Sequence, residues 1–345
     1  MKKKLVLNKS IAMRFIKRFF AVLGILLILY LLGPNPTTPV YNTTLPTIPA
    51  TATTLENYIK KQESHYTIKP DNEARIIWAN DSVKQKTAYA IVYLHGFSAS
   101  QEEGNPVHRD LARQFGSNLY LSRLSQHGID TIDALANLSA ENLWESAKQA
   151  YAIGKQLGDK VILMGTSTGG TLAIQLAAAY PEVAGLVLLS PNIAINDPNA
   201  WLVNNPWGLQ IARLVKGSKL NTAGSNTPEY NQYWNHQYRL EATVQLEELL
   251  ETTMTKATFA RVKQPVLVLY YYKDEQHQDP VVKVSAMKTM MANLGTPPSR
   301  KKMVAIPEAG NHVLGSPIQS KDIITVEREA GLFMKETLHI PTKQQ

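Results

Sequence analysis

Cysteine is absent from all 345 residues, and that absence excludes disulfide bonds, a thiol nucleophile and a thiolate-ligated metal. It leaves the redox compartment open, because a chain without thiols suits an oxidising or a reducing one equally. A generally basic surface is also missing. The formal charge is +8, yet Lys2, Lys3, Lys4, Lys9, Arg14, Lys17 and Arg18 supply seven of those charges before the first acid appears. The remainder carries about +1, so no footprint for nucleic acid is present. Long apolar runs are scarce too. The run Phe19 to Leu32 ends at Gly33-Pro34; it is short against the ~20 residues of a spanning helix and long for a signal-peptide core. No small-x-small cleavage site follows it directly, since Ala50-Thr51-Ala52 lies too far downstream, and no cysteine follows for lipidation.

The basic residues 1–18 ahead of that run predict a cytoplasmic N-terminus and an uncleaved signal anchor over 19–33, with the rest of the chain exported, periplasmic or extracytoplasmic in a bacterium. Residues 34–54, rich in Pro and Thr, read as an extended linker able to lie on the domain surface. A buried N-terminal helix is the weaker alternative, because this linker separates 19–33 from everything after it. Residues 55–345 suit one large α/β domain with an insertion.

Within that domain, apolar runs alternate with helical patterns. Strands are predicted over Glu73 to Ala79, Thr87 to Leu94, Asn118 to Arg123, Val161 to Thr166, Val183 to Leu189, Val266 to Tyr272 and Lys302 to Ile306. Helices are predicted over Leu55 to Glu63, Pro106 to Phe115, Ala140 to Leu157, Leu172 to Tyr180 and Leu240 to Thr253. Such alternation predicts a mainly parallel sheet with helices on both faces. It stops between about 191 and 264, where Trp201, Trp207, Tyr230, Tyr233, Trp234 and Tyr238 cluster. That segment reads either as a cap over an apolar pocket or as an ordinary packing layer or partner-binding face.

Chemistry points to Gly165-Thr166-Ser167-Thr168-Gly169. A short apolar strand runs into Gly-x-Ser-x-Gly and straight on into a helix, the pattern of a nucleophile elbow with Ser167 at its apex. A serine hydroxyl needs a base, an orienter for that base and donors for the developing oxyanion. His312, on the loop after the last predicted strand, has the position of the base. The acid should follow Val266 to Tyr272, and two candidates lie there. Asp274 is nearer the strand end; Asp279, followed by Pro280, also suits a helix N-cap. The oxyanion donors are expected at the amides of Thr168 and of Phe97 in His95-Gly96-Phe97, where His95 itself reads as structural.

On these motifs, with Asp279-Pro280-Val281-Val282 and Gly310-Asn311-His312-Val313, residues from about 73 to 339 resemble the α/β-hydrolase superfamily, particularly its lid-bearing carboxylesterases and monoacylglycerol-lipase-like members. The resemblance implies an eight-stranded sheet, a cap between the sixth and seventh strands, a Ser167-Asp279-His312 triad and no cofactor or metal. It favours Asp279 over Asp274, although Tyr270 to Gln278 is longer than the usual link from strand to acid. Hydrolysis of carboxylic esters, lipid esters included, through an acyl-enzyme is the expected activity. Acyl transfer to a lipid or sugar alcohol is the alternative, and a non-catalytic binding protein the third choice.

Overall fold

The structure is a computed structural model that describes residues 2–343, with side chains from residue 11 onward. Met1, the side chains of Lys2, Lys3, Lys4 and Lys9, and the last two residues lie outside the described set. The chain opens with α1 (Lys2–Leu31), whose side chains from Ile11 onward are almost all exposed. Among the described residues no helix is long and apolar enough to cross a membrane. The signal anchor expected at 19–33 is therefore not met as a spanning helix. Fourteen consecutive apolar residues rise only about 21 Å, against a hydrocarbon core of about 30 Å.

Residues 34–50 form an extended strap, and its carbonyls are bound by side chains of the domain beneath. Trp144 Nε1 donates to Asn42 O at 2.7 Å, Tyr180 Oη to Thr43 O at 2.7 Å and Lys148 Nζ to Thr44 O at 3.0 Å. These contacts explain a lysine that is 2% exposed: its ammonium caps a strap carbonyl and pairs with Glu145. A Pro/Thr-rich segment cannot supply its own ladder, so its backbone takes partners from the helices it crosses.

After α2 (Ala52–Glu63) come β1 (Arg75–Ile77), β2 (Thr87–Leu94), α3 (Val107–Gln114), β3 (Asn118–Leu121), α4 (Ala140–Leu157), β4 (Gly158–Thr166), α5 (Thr168–Ala179) and β5 (Gly185–Leu189). The chain then leaves the sheet through α6 (Gly208–Lys216), the ribbon strands β6 (Leu220–Thr222) and β7 (Gln237–Arg239) with α7 (Pro228–Tyr233) between them, α8 (Leu240–Thr253) and α9 (Lys256–Arg261). It returns through β8 (Val266–Tyr270), α10 (Val284–Asn293), β9 (Lys301–Ala305) and α11 (Ile323–Glu336).

Seven strands form the sheet, in the order β1-β3-β2-β4-β5-β8-β9, parallel except for β1. The eighth strand implied by the resemblance is absent among the described residues. Ahead of β1 the chain carries Pro70, which has no amide hydrogen, and Asp71 at φ 65°, and neither continues a ladder. The insertion consequently follows the fifth sheet strand, not the sixth.

Alternate residues of each strand serve opposite layers. Ala90, Val92 and Leu94 of β2 face the layer built by α4 and α5, while Ile91 and Tyr93 face α3 and α11. Strands buried on both sides read as continuous apolar runs, as β4, β5 and β8 do. The insertion divides in two. Leu249 of α8 and Phe259 of α9 join the main core, so only about residues 192–239 stand over the sheet edge.

Candidate active site

Because β2, β4, β5, β8 and β9 are parallel, the loops that leave them emerge at one edge of the sheet, the edge where such folds bind ligands. Ser167 leaves β4 at φ 53°, ψ −117°, a conformation costing on the order of 1–3 kcal/mol for a residue with a Cβ. The surroundings hold it there. Its amide donates to Leu189 O at 3.0 Å, and its carbonyl accepts from Asn192 N–H and Thr171 N–H. Two glycines make the bend possible: a Cβ on Gly165 would meet the Gly169 backbone at 2.5 Å, and one on Gly169 would run into Leu94 O.

His312 lies on the loop after β9, and its Nδ1 is 2.7 Å from Asp279 Oδ2. The other carboxylate oxygen accepts from the Val281 and Val282 amides at 2.9 and 3.0 Å in a turn; the helix N-cap expected of Asp279 is not formed, because α10 begins at Val284 with Lys283 in the capping position. Burial disfavours the imidazolium, but the charge and hydrogen bond of Asp279, with the charge of Glu103, outweigh it and raise the His312 pKa above its ordinary value. Burial also opposes ionisation of Asp279; His312 and the two amides win, and its pKa is lowered.

Asp274 is elsewhere. It sits on an exposed turn, accepts from the Gln276 and His277 amides and faces His277 Nδ1 at 2.9 Å. The long link from β8 folds out as a small excursion closed by the Tyr272–Gln278 bridge. It rejoins the sheet edge where the Asp279 amide donates to Tyr271 O.

Phe97 and Thr168 bring two amides to this edge, and neither donates a hydrogen bond among the described residues. Thr168 opens α5, so its N–H is one of the free amides of a helix N-terminus. The Phe97 amide is aimed by the peptide it belongs to. Gly96 O accepts from His95 Nδ1 at 2.9 Å, while His95 Nε2 accepts from the Leu124 amide at 3.0 Å. The second bond puts the ring proton on Nδ1 and keeps this fully buried histidine neutral, its pKa held well below the ordinary value by burial first and by His127 second. In a trans peptide the N–H points opposite the carbonyl, so His95, expected to be structural, sets the direction of the Phe97 amide.

Ser167, His312, Phe97 and Asn192 line one cavity of about 800 Å³. No hydrogen bond joins Ser167 Oγ to His312 among the described residues, a looseness common before substrate closes such a site. Residues 192–239 supply most of the roof. Of the aromatics in that segment, Tyr230, Trp234 and Tyr238 line the cavity. Trp207 instead holds the end of α1, its Nε1 donating to Leu29 O and its amide to Pro34 O. Tyr233 bonds Asp71, and Trp201 lies half exposed on the surface. Sequence reasoning missed Glu103, a buried carboxyl on the cavity wall. Nothing in Gln101-Glu102-Glu103-Gly104 distinguishes it from a solvated acid. Among the described residues no cluster of side chains could hold a metal ion.

Comparison with known proteins places this architecture. Residues 139–314, about half of the chain, match the family described as serine aminopeptidase, S33. A thermostable monoacylglycerol lipase from Bacillus sp. (strain H-257) is 26% identical over 192 residues, 55% of this chain and 71% of that protein. Among solved structures, one reported for the metagenome-derived lipolytic enzymes LipS and LipT superposes with a TM-score of 0.62 at 18% identity, covering 78% of this chain and 100% of that one. A soluble variant of monoglyceride lipase from Saccharomyces cerevisiae gives 0.56 at 11%, covering 76% and 92%. At these identities the structures show a shared fold.

Proposed function

The chain belongs to the α/β-hydrolase family described as serine aminopeptidase, S33, and from that premise we propose that it hydrolyses carboxylic esters with an apolar acyl or alcohol part. One observation carries the reading: a serine held in a strained elbow shares a cavity with a histidine hydrogen-bonded at 2.7 Å to a buried aspartate. In this reading His312 Nε2 takes the Ser167 Oγ proton as the oxygen attacks the ester carbonyl. The Phe97 and Thr168 amides receive the oxyanion. Asp279 keeps the His312 proton on Nδ1 and stabilises the imidazolium. The alcohol leaves with the proton from His312, and water, deprotonated in turn by His312, releases the acid and restores Ser167. No metal or organic cofactor enters these steps.

The apolar preference is supported by the walls, where Leu202, Val203, Ile211, Val215, Leu240 and Leu246 line the same cavity as Ser167. The monoacylglycerol lipase among the relatives points the same way. Acyl transfer, the expected alternative, falls behind hydrolysis because the relatives named above are lipolytic. Turnover of p-nitrophenyl esters of increasing acyl length, beside an aminoacyl anilide, tests the proposal. Ester turnover that disappears in Ser167→Ala supports it; turnover of the anilide alone would replace it with peptidase chemistry. Export of the catalytic domain rests on the basic residues ahead of Phe19 to Leu32. Cell fractionation that leaves the protein wholly cytoplasmic would end that part of the proposal.

A further inference from the structure

Strand β2 ends at Leu94, so the next amides have no ladder partner and must find one elsewhere. The Gly96 amide finds Glu103, seven residues on, whose Oε2 accepts at 2.5 Å. Gly96 is thus held on both sides, its N–H by Glu103 and its C=O by His95. A Cβ added to Gly96 would meet Glu103 Oε1 at 2.8 Å and Ser167 Cβ at 3.1 Å. The carboxyl and the serine therefore face each other across a single glycine. The same loop is held from the roof, where the Asn235 amide donates to Ser98 O at 2.8 Å and Trp234 stands beside the Glu103 carboxyl.

We propose that Glu103 is a positioning residue for the reaction: by holding the Gly96 amide it fixes the loop that presents the Phe97 amide to the oxyanion, and its carboxyl lines the same cavity as the imidazole of His312. The inference rests on the reading of Ser167 as the nucleophile and of Phe97 as an oxyanion donor. A bland packing role fits the position poorly. Among the described residues no lysine or arginine pairs with this carboxyl, and a buried acid without a cation is costly where an apolar side chain would fill the space. Burial pushes its pKa up to about 7, against the pull of the Gly96 amide and the charge of His312.

The two phenols and the histidine around it stay neutral near pH 7. Burial, aided by the charge of Glu103, raises the phenols of Tyr93, well above the ordinary range, and Tyr230, to about 12. His108, packed on Gly104 beside Tyr93, is pushed down to about 3 by burial. Neighbouring Glu102, itself raised by burial, is bonded to Asn105. The charge of Glu103 also adds to that of Asp279 in raising the pKa of His312.

The test measures kcat and KM of the full chain on p-nitrophenyl butyrate from about pH 5 to 9, for Glu103→Gln, Glu103→Leu and Ser167→Ala, with Tm for each. In Glu103→Leu the Gly96 amide loses its acceptor, and kcat falls about 10- to 100-fold with KM within about 3-fold, a loss on the scale of a weakened oxyanion donor. Glu103→Gln keeps an acceptor and restores kcat to within about 3-fold, while removal of the charge moves the acid limb of kcat/KM to lower pH. Unchanged kcat in Glu103→Leu would overturn the inference. So would a Glu103→Gln variant as impaired as Glu103→Leu with its acid limb unmoved. If the leucine variant does not fold, the position of the acid limb in Glu103→Gln decides alone. Persistent activity in Ser167→Ala would instead break the underlying serine reading, whatever the Glu103 variants do.

Discussion

On the floor of the cavity, Ser167 and Asp279 are fixed by main-chain groups of loops leaving parallel strands, whereas the roof, residues 192–239, is tied down by scattered main-chain bonds such as Asn235 N–H to Ser98 O together with long side-chain contacts. Ser167 has bonds on its own amide and carbonyl, and Asp279 accepts two backbone amides. The roof rests on contacts such as Lys69 Nζ to Asn231 O and Asn235 Oδ1, and on Tyr230 stacked against Trp234. It leaves Leu214 and Val215 83% and 79% exposed. The main-chain anchoring of the floor suits the fixed distances that the proposed proton transfer demands. The roof has the lower local stability from which adaptable binding surfaces are drawn.

The sharpest way to break that contrast is at the apex of the elbow. Ser167→Ala should lower kcat by about 10⁵-fold or more while Tm stays near that of the parent, because alanine removes one oxygen from a pocket wall. A fluorophosphonate probe that still labels the variant would show that the floor has been misread. Next comes the acid. Asp279→Asn should cost about 10⁴-fold in kcat by favouring the wrong imidazole tautomer, and Asp274→Asn should stay within about 2-fold, as expected for an exposed substitution. Equal losses in the two would mean that the Asp279–His312 pair is structural.

The pH profile sharpens the same point. In the proposed reaction His312 must be neutral to take the serine proton, and its pKa is raised above its ordinary 6.5. Activity should therefore be full at higher pH and fall as pH drops through that raised value, placing the acid limb of kcat/KM above 6.5; a limb well below it would contradict the pairing. A change in the roof should look different. Ala212→Trp, filling part of the cavity, should raise KM for long acyl esters about 10-fold with kcat on acetate esters nearly unchanged. A fall in kcat on all esters alike would show that roof and floor are one rigid unit.

The smallest effect belongs to the strap, remote from both. Trp144→Phe loses the bond to Asn42 O and should cost about 1 kcal/mol, a drop in Tm of about 1–2 °C for a domain of this size, with ester turnover unaltered. A large loss of turnover would tie the strap to the catalytic edge.

Much of this organisation was legible in the residues. Thr87 to Leu94 and Ala140 to Leu157 form the strand and helix that their periodicity predicts. Gly165-Thr166-Ser167-Thr168-Gly169 forms the expected turn because two positions there have no room for a Cβ. Local chemistry also named both carboxylates after β8. Choosing between them took the resemblance, and the contact with His312 is a matter of three dimensions: Asp274 is nearer in sequence, but a turn carries it outward. The spanning helix expected at the N-terminus is not met, a shortfall already visible in the fourteen apolar residues of Phe19 to Leu32.

What the sequence determined by itself is the alternation of buried strands and amphipathic helices and the elbow at Ser167, because periodicity and steric demand act over a few neighbouring residues. What only the tertiary structure decided is the company each functional group keeps. Asp279 meets His312 across 33 positions, a Pro/Thr-rich segment becomes a bound strap, and Glu103, indistinguishable from a surface acid in the letters, turns inward to Gly96. Burial and hydrogen-bond satisfaction are properties of the whole packed chain, and they select among residues that local pattern leaves equivalent.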